Sequence, residues 1–207
     1  MSRLGRALRA FAALTLFSVP LLAQDPRLKA RLDGPTFVAV SAIVDSARVA
    51  KLPTAPLVDK ALEGAAKGSD GAKIVVAVKQ LSLRMGSAKR ALGSGASADE
   101  IKSAAGAMDS GVSLRDLARL RAAAGRRPMT MPLAVVSDLI GQSIPIPTAT
   151  DLVLQLVKSR VTDRDLSLLQ RNVRTDVERG ADPTVAATTR VRGLLVRSTA
   201  APTRPTE

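Results

Sequence analysis

Asp59 and Glu63 stand four residues apart in this chain, with Lys60 and Lys67 beside them. On a helix that spacing places both carboxylates on one face. There they could act as the acid/base pair of a hydrolase or offer oxygen ligands to a hard cation. The same four residues also make a surface ladder, because Glu63 precedes Lys67 in the favourable i,i+4 order. A second group is cationic: Arg115, Arg119, Arg121, Arg126 and Arg127. Arg115 and Arg119 share a helical face that Arg126 and Arg127 extend, and guanidinium groups converging there would grip phosphates or carboxylates. Kept apart, with Asp116 as a local partner, they are solvated surface arginines.

Other chemistry is removed by composition. The 207 residues include no Cys, His, Trp or Tyr and only three Phe. Without thiol or imidazole there is no disulfide framework, structural zinc site, haem attachment, Cys nucleophile or His-dependent triad. Reactivity is left to carboxylates, hydroxyls, Lys and Arg. GSGASA at residues 93–98 matches the loose pattern G-x-G-x-x-A. A dinucleotide fingerprint needs a strand directly before it, whereas a long helical pattern precedes this one, so the segment reads as a helix linker. No GK dipeptide, S-x-x-K or G-x-S-x-G occurs, which removes a P-loop and the usual Ser nucleophile signatures. No cofactor and no metal is expected.

The N-terminus addresses the chain for export. Arg3, Arg6 and Arg9 precede an apolar run from Ala10 to Leu22, with no acid before Asp25. This is the pattern of a secretory signal peptide over residues 1–23, cleaved after Ala23 or Gln24. The run is shorter than the ~20 residues that a membrane span needs, so the mature chain is expected to have no transmembrane segment and to be periplasmic or secreted. The whole chain has 31 Lys and Arg against 18 Asp and Glu. Cleavage deletes three Arg and no acid and leaves a charge of +10. Such a field favours anionic partners such as headgroups, cell-wall polymers or other envelope polyanions. Only Phe37 remains as an aromatic platform, so sequence-specific nucleic-acid binding is not expected.

These groups must be positioned by helices. Apolar residues at Ile74, Val78, Leu81, Met85, Ala88 and Leu92 alternate steps of four and three, which predicts a helix over about 72–92 and a core stripe along it. Phe37, Val40, Val44, Ala47 and Ala50 predict another that ends near Lys51. Between helices a seven-residue box returns: GSDGAKI from Gly68, GASADEI from Gly95, GVSLRDL from Gly111, SIPIPTA from Ser143, RVTDRDL from Arg160 and GADPTVA from Gly180. Its first residue ends one helix in the left-handed region, its third caps the next, and its second and seventh form a hydrophobic staple. Ser97 with Glu100 makes a full capping box; Ser113 with Asp116 and Thr162 with Asp165 are acidic variants.

The expected fold is therefore all-α, a compact bundle or short solenoid of helical hairpins. TAPL from Thr54 and TMPL from Thr130 are each followed by three boxes. Residues 51–127 and 128–197 thus read as two helical units, possible copies of one four-helix unit with an insertion between Arg84 and Gly95. Residues 24–50 read as a loose leader and a first helix, and residues 198–207 as a disordered tail. The segment LPTAPLVDKALEGAAKG, residues 52–68, resembles a box found in uncharacterised exported bacterial helical proteins. That resemblance implies export and helical structure and no particular reaction. Together these features point to a non-catalytic exported interaction module. Binding of anionic envelope components through the Arg cluster is the first alternative, and a hydrolase using Asp59 and Glu63 the second.

Overall fold

The computed structural model describes residues 25–200, and among them the chain is all-helical with no strand. Ten helices follow one another: α1 (Pro26–Arg31), α2 (Gly34–Val49), α3 (Ala55–Ala66), α4 (Gly71–Leu92), α5 (Ala98–Asp109), α6 (Leu114–Ala124), α7 (Thr130–Gly141), α8 (Ile146–Lys158), α9 (Asp163–Glu178) and α10 (Pro183–Ala200). The proposed signal peptide, its cleavage point at Ala23 or Gln24, and residues 201–207 lie outside the described residues.

The seven-residue box does the local work its chemistry implies. Asp70 accepts from the backbone N–H of Ala72 at 2.8 Å, Ser113 from Asp116 at 3.1 Å, Thr162 from Asp165 at 3.2 Å and Asp182 from Val185 at 2.9 Å. Ser97 and Glu100 form the reciprocal capping box, each side chain accepting from the other's backbone N–H. Each such oxygen satisfies a donor that the first helical turn leaves open. At α8 the third position is Pro145, which has no side-chain oxygen, and no side-chain cap forms. Ser143 and Arg160 occupy the left-handed region in place of glycine, at φ 68° and 55°. The box at Gly95 departs from the pattern, because Gly93, with φ 92°, ends α4.

Helices pack both on the next helix and on the helix two positions along the chain. The even helices form one continuous row, α2 on α4, α4 on α6, α6 on α8 and α8 on α10. Among the odd helices α1 packs on α3, α5 on α7 and α7 on α9, with the row interrupted between α3 and α5. Neighbours within a row run in the same direction, as α2 and α4 show. At their N-terminal ends a Cβ on Gly71 would clash with Thr36 Oγ1. Toward their C-terminal ends Lys89 Nζ donates to the carbonyls of Ala50 and Lys51 at 2.8 and 3.1 Å. This is the packing of stacked helical hairpins.

Two cores lie between the rows. The smaller joins α1 to α4 and takes Ile101 and Ala105 from α5; the larger runs from Ala88 of α4 to Leu194 of α10. The larger core therefore contains residues from both sides of the 127/128 boundary, and the long helix α4 contributes to both cores. With 22 residues α4 exceeds α8, at 13, by nine. Five of the six residues in its apolar stripe are buried; Leu81 is half-buried at the edge of a groove. The leader expected before residue 32 is ordered instead. Pro26 starts α1, Asp25 caps it from Arg27 N–H at 3.0 Å, and Leu28 is 1% exposed in the smaller core. Burial of Leu28, worth about 1.5–3 kcal/mol of transfer, adds to the Asp25 cap and the Arg27–Asp59 pair in holding this short segment. At the other end α10 continues through Ser198 to Ala200.

Candidate functional site

The sequence points to two places, and both are defined by ion pairs. On α3, Asp59 is exposed and its Oδ1 lies 3.8 Å from Arg27 Nη1 of α1. Glu63, one turn further along the same face, pairs within its own helix and just beyond it. It accepts from Lys67 Nζ and from Lys60 Nζ, the latter at 3.0 Å. The hydrogen bond from Lys67, then that from Lys60, then their positive charges hold the Glu63 carboxyl down to about 2. A general acid or base needs a pKa near the working pH, so Glu63 is shifted in the wrong direction for that role. Nor do the two carboxylates share a ligand position, since each is turned to its own cation. Among the described residues no group of three or more Asp or Glu side chains could hold a metal ion.

Beside this face a groove of about 310 Å³ runs between α3 and α5 over α4, at the interruption of the odd row. Leu81 and Ala105 give it an apolar floor, and Asp59, Lys60, Glu63 and Lys102 stand on its rim. Arg84 and Asp109 close one end as an ion pair at 3.0 Å.

The five arginines do not come together as one anion site. Arg119 bridges Asp116 on its own helix at 3.0 Å and Asp151 of α8 at 3.1 Å. Hydrogen bonds to those two acids raise its pKa further. Arg121 pairs with Glu100 at 3.1 Å and also donates to the carbonyl of Arg127. Arg127 donates to the carbonyls of Ala123 and Ala124 at 3.3 and 3.2 Å and to that of Val157. It thereby caps the C-terminal ends of α6 and α8, where helix carbonyls and dipoles favour a cation. Arg115 and Arg126 remain exposed without an ion pair.

The polar centre that sequence reading reduced to a local cap is Glu100. Its side chain is 9% exposed, and it accepts from Ser97 N–H and Met129 N–H, both at 2.9 Å, and from Arg121. Burial pushes the Glu100 pKa up, but the two backbone donors and the Arg121 charge outweigh it, leaving the carboxyl below its ordinary value. The residue thus ties α5, the end of α6 and the start of α7 together. Further ties between helices, Arg174 to Asp138 at 2.6 Å and Arg190 to Asp176 at 2.7 Å, carry no local signature in the sequence.

Compared with family models, with curated proteins and with solved structures, the chain matches none. No described helix is long and apolar enough to cross a membrane.

Proposed function

We propose that this protein is a non-catalytic helical interaction module acting outside the cytoplasm. The observation that carries the reading is the state of Glu63. The carboxylate best placed for acid/base work is clamped between Lys60 and Lys67 and held to about 2, while Asp59 turns to Arg27. Both behave as surface charges on a scaffold. Its stacked hairpins also present side chains over a broad surface, as helical repeat architectures do. The arginine-cluster reading has less support, because Arg119, Arg121 and Arg127 direct their donors into the fold.

The test uses the exported full-length mature chain. Cross-linking in intact cells is expected to give a discrete adduct, one that survives in the Asp59→Asn, Glu63→Gln double variant. Turnover of ester, glycoside or peptide substrates that disappears in the double variant would overturn the reading in favour of a hydrolase. Retention of Met1 to Ala23 on the mature protein, read by N-terminal mass spectrometry, would overturn its export.

A further inference from the structure

The two rows of helices differ in charge and in what they expose. Helices α2, α4, α6, α8 and α10 together contain 13 Lys and Arg against 3 acids. Helices α1, α3, α5, α7 and α9 contain 8 against 10. Thus the even row carries a formal +10 and the odd row −2, although the two rows alternate helix by helix along the chain, and three of the even-row cations, Arg84, Arg121 and Arg190, are paired with odd-row acids. Large apolar side chains follow the same division. Of the eight that are well exposed, only Leu168 lies on an odd helix.

Helix α4 shows how the two properties combine. It holds Lys73, Lys79, Arg84, Lys89 and Arg90 and no acid. Its buried residues, among them Ile74, Val78 and Met85, occupy one face. Val76 and Leu83 lie on the opposite face, two turns apart and about 10 Å along the axis, and are 58% and 57% exposed. Lys73 and Lys79 flank them, exposed and without an ion pair. On α2, Val38 and Val49 likewise stand opposite the buried Val40, Val44 and Ala47. On α10, Val185 and Arg192 stand opposite Ala187 and Val191.

We infer that the outer side of the even row is a docking surface for an anionic lipid bilayer, with α4 at its centre. This rests on the reading of the protein as an exported interaction module and names its partner. Basic residues alone would suit any polyanion, but the phosphate backbones of nucleic acids and the charged chains of acidic polysaccharides offer far less apolar surface to exposed valine and leucine than acyl chains do. Aliphatic side chains interspersed with Lys and Arg match the boundary between headgroups and acyl chains, where cations meet phosphate and the apolar groups enter the outer hydrocarbon. The side chains on α2 and α4 are spread over two adjacent parallel helices, which suits an extended surface better than a single ligand. Binding of this kind is reversible and peripheral.

The mature full-length protein is sedimented with vesicles of phosphatidylcholine alone and of phosphatidylcholine with phosphatidylglycerol. Binding is expected only to the anionic vesicles and to fall steeply with salt. Lys73→Gln with Lys79→Gln should weaken it roughly twentyfold or more at low salt. Arg164→Gln with Arg171→Gln removes the same charge from α9 and should weaken it much less. Equal losses would show that net charge alone acts and would overturn the inference. Because the chain has no Trp, Leu83→Trp supplies a single reporter, whose emission should shift to the blue on anionic vesicles. An unshifted emission, or equal binding by the Val76→Ser, Leu83→Ser double variant, would equally overturn it. So would binding to heparin or to an acidic protein without binding to vesicles. Should vesicle binding fail while the cross-linked adduct in cells persists, the interaction module stands and only its lipid partner is lost.

Discussion

Glu63 and Glu100 are the same side chain set among basic and N–H donors, yet they do different work. Glu63 lies on the outside of α3, and both of its partners, Lys60 and Lys67, come from within four residues. Glu100 lies at the start of α5, and beyond its own cap its partners come from α6 and from the start of α7. The first arrangement exchanges water for lysine at little gain, because exposed pairs are screened and must order two long side chains. In the second, a charge taken out of water has every neighbour in place, so losing any one of them leaves the others buried and unsatisfied. Burial, more than pairing, separates an ornament of the surface from a joint of the fold.

The largest expected effect tests that contrast directly. Glu100→Ala should destabilise the protein by about 3–5 kcal/mol, since it removes the capping box and strands Arg121 and the Met129 N–H in a buried site. Glu63→Ala should move the denaturation midpoint only slightly, because its exposed lysine pairs are screened. Equal midpoints for the two variants in urea would break the comparison. A double-mutant cycle between Glu100 and Arg121 should give a coupling of about 1–3 kcal/mol.

Apolar burial follows the same rule at somewhat smaller size. Ile74→Ala, in the smaller core, should cost about 2–5 kcal/mol. Leu81→Ala, on the half-buried edge of the groove, should cost about half as much or less. A Leu81→Ala cost equal to that of Ile74→Ala would mean that the groove is closed in solution. Smaller again is Ser113→Ala, which removes the cap of α6 and should cost about 1 kcal/mol.

Acid titration gives the finest reading. Both carboxylates have folded pKa values below their unfolded ones. Any stability they contribute is therefore present above the unfolded value and is lost as pH falls through the folded one. For Glu63 that window runs from 4.5 down to about 2. Glu100→Gln should flatten the fall in Tm across acid pH, and Glu63→Gln should flatten it less, because solvent and salt screen the exposed lysines that lower the Glu63 pKa. By NMR, the Glu63 carboxyl should titrate below 4.5 at low salt and move toward the ordinary range as salt screens its lysines. A Glu63 midpoint near 4.5 at low salt would show that the ladder does not persist in solution.

Much of the fold was legible because its instructions are local. Asp70, Ser97, Ser113, Thr162 and Asp182 cap helices two or three residues away, and the stripe from Ile74 to Leu92 needs only helical periodicity to be seen. The departures are local too. Pro145 cannot cap, Gly93 takes over from Gly95, and Leu28 buries a segment whose pattern was too short to read. For the candidate sites the position was reversed. Asp59 and Glu63 had the spacing of a pair, but Arg27 drew one carboxylate aside from another helix. The arginines from Arg115 to Arg127 had the composition of an anion site, but Arg119, Arg121 and Arg127 are drawn to Asp151, Glu100 and Val157 far along the chain, while Arg115 and Arg126 stay apart on the surface.

By itself the sequence determined that this chain is helical, where most of its helices begin and end, which face of α4 is apolar, and that thiol and imidazole chemistry are absent. Each of these depends on contacts within about one helical turn or on composition alone. Tertiary structure decided which arginine meets which acid, as in Arg121 with Glu100 and Arg119 with Asp151, 21 and 32 residues apart. It also decided that alternate helices stack, so that charges interleaved along the chain separate into a basic row and a nearly neutral one. Those outcomes depend on which helix faces pack together, and a charge shows no preference for a distant partner until packing has brought the two within reach and removed the water between them.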